Sequence, residues 1–72
     1  MTLTKPELDF IPCLRAVDPQ SIWGAAVHNV LNDLTPFKFR LLVSELKSQN
    51  EDQPDLMLKI LGDPCYSQLI KL

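Results

Sequence analysis

The sequence predicts an all-α fold: a compact bundle of four or five short helices, in orthogonal or up-down packing, forming a single domain over residues 1–72. Three observations predict it. Four of the six prolines directly follow a residue that can cap a helix, at Asp18-Pro19, Thr35-Pro36, Gln53-Pro54 and Asp63-Pro64. Proline suits the first helical position, where no backbone donor is needed and φ is already set, and a side-chain oxygen just before it can accept from the free amides of the first turn. Between these punctuation marks apolar residues recur at helical spacing, and no segment sustains the alternation of a strand.

The first helix opens at Thr4-Lys5-Pro6-Glu7, a threonine with a glutamate three positions on, the pattern of a capping box. Phe10, Cys13, Leu14 and Val17 then share one face. Pro12 lies inside this segment and predicts a kink or a break. The second helix is expected to start at Asp18-Pro19 and to bury Trp23, Ala26, Val27, Val30, Leu31 and Leu34. Gly24, Ala25 and Ala26 are small enough to admit a close neighbour.

Thr35-Pro36 starts the third helix after almost no loop. Phe39, Leu42, Val43 and Leu46 form its core face. Phe37 and Leu41 fall roughly opposite, about 160–200° round at ~100° per residue. A surface helix normally carries one apolar stripe, so a second one means either a sandwiched helix or a face that meets a partner. Ser48 to Gln53 reads as a polar loop. Pro54 opens a short helix with Leu56, Met57, Ile60 and Leu61, which Gly62 is placed to end in the left-handed conformation. Asp63-Pro64 opens the last segment, with Cys65, Tyr66, Leu69 and Ile70 directed inward.

Composition bounds the function. An apolar share of 46% is that of a folded domain and not of a disordered one. A core this small rarely supplies more than ~3–5 kcal/mol of net stability, so such chains often rely on a staple or a partner. Nine acids against seven bases, with no dense basic cluster, argue against a nucleic-acid partner. No apolar run approaches the ~20 residues that span a bilayer. Met1 to Leu8 carries Lys5 and Glu7 and no apolar h-region, which reads as a cytoplasmic protein with reduced thiols.

No motif in the chain carries a reaction. Cys13, His28 and Cys65 are the candidate metal ligands, but no two are paired in sequence, and both cysteines read as small buried hydrophobes. His28 falls away from the apolar stripe of its helix, beside Ser21, Ala25 and Asn32, and reads as solvated. Glu51, Asp52 and Asp55 are the one carboxylate cluster, which reads as anions attracted to a helix N-terminus. Two glycines, at 24 and 62, cannot form a phosphate-cradling loop. Neither a cofactor nor a metal is assigned, and the chain reads as a non-enzyme.

The stretch from Val30 to Leu42, a leucine-rich helix end followed by the Phe37-Lys38-Phe39-Arg40 run, is similar to the middle of death-fold domains. The similarity covers 13 of 72 residues and departs at Pro36, where that family usually carries acidic residues and a longer turn. It implies an adaptor role.

The residues therefore point to a protein–protein interaction module, an adaptor, inhibitor or regulatory subunit whose partner is another protein or a second copy in a homodimer. Phe37 and Leu41 are the expected anchors, rimmed by Lys38, Arg40 and Glu45. The alternative is a small helix-turn-helix-like nucleic-acid regulator, which would use the second and third helices and contact the duplex through Lys38 and Arg40.

Overall fold

The computed structural model describes residues 2–72. Five helices follow one another: α1 (Lys5–Arg15), α2 (Gly24–Asn32), α3 (Pro36–Asp52), α4 (Pro54–Leu61) and α5 (Asp63–Lys71). No strand occurs among the described residues. Each helix packs on the next in sequence, and α5 returns against both α1 and α3. The result measures 33 × 25 × 18 Å.

The first helix begins as its sequence predicts. Glu7 Oε1 accepts from the Thr4 amide at 2.8 Å and from the Thr4 hydroxyl at 2.9 Å. The break expected at Pro12 does not occur, and α1 runs through it to Arg15. Pro12 is exposed, while Phe10, Ile11 and Leu14 on the other side are buried. Burial of that face holds the helix together across one missing hydrogen bond. The helix closes on tight bonds from the Ala16 amide to Cys13 and from the Val17 amide to Leu14.

Asp18-Pro19 starts a turn and not the second helix. Asp18 Oδ1 accepts from the Gln20 amide at 2.9 Å, and the Asp18 carbonyl accepts from both the amide and the hydroxyl of Ser21. A short aspartate that satisfies the backbone locally competes with helix formation. α2 begins only at Gly24, which the returning chain requires: a Cβ there would lie 1.9 Å from the Asp18 carbonyl oxygen.

The polar loop expected over Ser48–Gln53 is also absent. α3 continues through Asp52, and the chain turns on the single residue Gln53 (φ −140°, ψ 69°). The ring of Pro54 crowds the residue before it out of the helical region, so one pre-proline position suffices to end a helix. Gly62 does take a positive φ of 81°, but its ψ of 160° lies outside the left-handed helical well, in a region that essentially only glycine occupies. It also stands where Asp63 was expected as the cap, because Asp63 is already the first residue of α5.

One hydrophobic cluster draws on all five helices. Phe10, Leu14, Val27, Phe39, Leu46, Met57 and Leu69 are fully enclosed, with Ile11, Val17, Leu42 and Leu61 beside them. Ile70, expected inward, is exposed instead: α5 is covered on one side only, and Leu69 takes the buried position.

Candidate functional site: the outer face of the third helix

Thr35 and Pro36 fix where α3 starts. Thr35 Oγ1 accepts from the Lys38 amide at 3.2 Å, and Pro36 occupies the first turn. With that register, Phe39, Leu42 and Leu46 enter the core. At ~100° per residue the opposite side carries Phe37, Leu41, Ser44, Glu45, Ser48, Glu51 and Asp52, all of them exposed. Phe37 is 68% exposed and Leu41 51%. An aromatic ring and a leucine held one turn apart in water form an apolar patch whose burial against another surface is favourable.

The surroundings of the patch divide the five residues singled out from sequence. Lys38, Leu41 and Glu45 line one shallow groove of about 180 Å³ together with Ala26 and Val30 of α2 and Leu42. Phe37 stands one turn before Leu41 on the same face. Lys38 pairs with Asp33, with both side chains largely in solvent. Such a pair is worth ~0–1 kcal/mol, so Lys38 can exchange Asp33 for another carboxylate at little cost.

Arg40 projects from the other flank of α3, against α1. Its Nε donates to Glu7 Oε2 at 2.9 Å, and a terminal nitrogen donates to Glu7 Oε1 at 3.1 Å and to the Thr2 carbonyl at 3.3 Å. This two-pronged pair ties the N-terminus of α1 to α3. Both cations that a nucleic-acid-contacting helix would present are thus engaged by carboxylates.

Glu7 gathers three kinds of donor on one carboxylate. The Arg40 hydrogen bond, then the Thr4 amide, hold its carboxyl down from the ordinary 4.5 to about 2, and the same pair raises Arg40 further above its usual range. A carboxyl whose folded-state pKa is depressed contributes stability that is complete above pH 4.5 and is lost as the pH falls towards 2. A Glu7→Gln variant is therefore expected to show a lower urea midpoint than the parent at neutral pH, with the gap closing as the pH is lowered through that window. Added salt is expected to narrow the gap at neutral pH only in part, since Arg40 reaches solvent while Glu7 is largely covered.

The sequence reading missed part of the apolar surface. Leu34, assigned to the core stripe of the second helix, is 38% exposed. α2 ends at Asn32, and Asp33 leaves the helical region (φ −126°, ψ 63°), so Leu34 no longer follows the stripe. Ile22 and Leu8 are also exposed, and like Phe37 they are apolar residues set off the main stripe of their segment.

The candidate metal ligands separate into a pair and an outlier. Cys13 of α1 and Cys65 of α5 are both half-buried and free. Burial first, and then the Cys13 contact, push the Cys65 thiol up to about 11. His28 is half-buried and not solvated as expected: its Nε2 donates to the Val17 carbonyl at 2.7 Å, tying α2 to the end of the first helical segment. That bond places the proton on Nε2. Among the described residues no three His, Cys, Asp or Glu side chains gather where they could hold a metal ion.

The carboxylate cluster is also rearranged. Asp55 lies in the first turn of α4, but Glu51 and Asp52 are the last residues of α3, where the helix dipole disfavours anions. The outer face of α3 is therefore apolar and basic at its start and acidic at its end. No helix among the described residues is long and apolar enough to cross a membrane.

No protein-family model, curated protein or solved structure matches this chain. The likeness of residues 30–42 to death-fold domains thus stays local to those residues.

Proposed function

We propose that this chain is a non-enzymatic protein interaction module that docks through the outer face of α3. The observation that carries the reading is the exposure of Phe37 and Leu41 on a helix whose other face is fully committed to the core. Phe37 and Leu41 are the anchors, Lys38 and Glu45 the polar rim, and Arg40 holds α3 in register on α1. Aromatic and aliphatic anchors at the centre of a small apolar patch are what concentrates binding energy at interfaces.

The charge order along the face favours a second copy as the partner. Lys38 lies near the start of the face, and Glu45, Glu51 and Asp52 follow towards its end. Two copies of α3 packed antiparallel about a two-fold axis near Leu41 bring Lys38 of each close to Glu45 of the other, which is the self-complementarity that a symmetric dimer requires.

Light scattering at two protein concentrations tests this. The parent mass is expected to approach twice the chain mass at the higher concentration. Phe37→Asp is expected to stay monomeric at both, with a stability within ~0.5 kcal/mol of the parent, as for other exposed positions. A monomeric parent would pass the face to a different protein. A Phe37→Asp chain that unfolds would overturn the reading. Salt-sensitive retention of the parent on heparin at physiological ionic strength would favour the nucleic-acid alternative in its place.

A further inference from the structure

Two grooves meet where the start of α1 lies beside the end of α5. One, of about 420 Å³, runs between these helices and is lined by Lys5 and Asp9 of α1 and by Ser67, Gln68 and Lys71 of α5. The other, of about 400 Å³, opens over Glu7 of α1 and over Arg40 and Val43 of α3. Pro6, Lys71 and Leu72 line both, so the two form one continuous trough. It is separate from the face that carries Phe37 and Leu41.

The charges in the trough are unevenly satisfied. Glu7 and Arg40 answer each other. Lys5, Asp9 and Lys71 are exposed and take part in no ion pair among the described residues, and the side chains of Ser67 and Gln68 make no hydrogen bond among them. Lys5 and Lys71 line the same groove with no anion to share, so a negative group seated between them relieves their mutual repulsion and gains attraction from both. The Ser67 hydroxyl and the Gln68 amide can each donate and accept, which suits the main chain of a peptide. The prolines at 6 and 64 give the walls apolar surface.

We propose that this trough binds a short acidic peptide segment of a second protein, independently of the α3 face. Shape selects a chain over a compact ion. Pro64 to Lys71 rises about 10 Å at ~1.5 Å per residue, the reach of about three extended residues, and the groove over Arg40 carries the path on for about one more. Charge complementarity selects its sequence. Acidic side chains of the peptide sit at the Lys5–Lys71 end. Asp9, one turn further along α1, repels acids from the rest of the groove and accepts a main-chain amide of the peptide there. The segment recognised is therefore acidic at one end and uncharged at the other.

The test titrates the isotope-labelled full chain with capped Glu-Glu-Ala-Ala, Ala-Ala-Ala-Ala and Lys-Lys-Ala-Ala peptides and with inorganic phosphate, following amide chemical shifts. The acidic peptide is expected to give saturable shifts centred on Lys5, Ser67, Gln68 and Lys71, and the other two peptides none. Added salt is expected to weaken that binding, because exposed charges are screened over ~8 Å at physiological ionic strength. Lys5→Gln combined with Lys71→Gln is expected to weaken it about fivefold or more, the reach of two exposed ion pairs, at the parent's melting midpoint. The comparison of peptides needs no variant and decides the question by itself. Absence of shifts with the acidic peptide, equal shifts with the alanine peptide, shifts centred on Phe37 and Leu41 instead, or phosphate binding as tightly as the peptide would each overturn the proposal.

Discussion

Replacing Gly24 with alanine is expected to remove most of the protein's stability. The added methyl group would lie 1.9 Å from the Asp18 carbonyl oxygen and 2.8 Å from two backbone atoms of Pro19. All three obstacles are main chain, so no side-chain rotation can relieve the clash. The Asp18 carbonyl is itself held by the Ser21 amide at 3.0 Å and the Ser21 hydroxyl at 2.8 Å, and the Gly24 amide donates to Ser21 at 3.1 Å. Moving the turn away therefore costs its own hydrogen bonds. A loss on the order of 3 kcal/mol is expected, the upper end for forced overpacking. That approaches the whole net stability of ~3–5 kcal/mol available to a core of this size. Far-UV circular dichroism with urea titration measures it. A fully folded Gly24→Ala protein with the parent midpoint would show that the turn yields easily and that α2 is not anchored through it.

Phe39→Ala is expected to be at least as damaging, whereas Phe37→Asp, two positions away, is nearly silent for folding. Phe39 is wholly enclosed, and α3 presses it against the cluster shared by all five helices. Truncating a buried phenylalanine costs ~3–5 kcal/mol, because the transfer free energy is lost and the cavity left behind closes only in part. Phe37 is 68% exposed and leaves no cavity. The pair separates stability from association on one helix: losing Phe39 abolishes the cooperative melt, and losing Phe37 abolishes only the interface. Comparable melts for the two variants would mean that the burial of α3 is distributed differently from what its geometry implies.

The Phe37 face was legible because its signal is local. Two apolar residues on the wrong side of a strongly patterned helix need only the helical period to be noticed. Leu34 was misplaced for the complementary reason. Its position depends on α2 stopping at Asn32, and Pro36, the residue that marks the boundary, stands far enough on for the helical period to be extended through Leu34. Ser48 to Gln53 reads as a loop from its polarity, yet all of it but Gln53 is helical, because polar residues on the solvent side of a long helix look the same as a loop when the apolar contacts end at Leu46.

The all-α class, a count of four or five helices, the starts at Thr4, Thr35-Pro36 and Pro54, and most of the core stripes are determined by the sequence itself. Capping, proline geometry and the 3.6-residue period all act between residues a few positions apart, and linear order reveals them directly. Only the tertiary structure decides the close approach of Asp18 to Gly24, the bond from His28 to Val17 and the Arg40–Glu7 clamp. Each of these depends on how the chain folds back on itself, an outcome of burying one shared core that no short window of residues encodes.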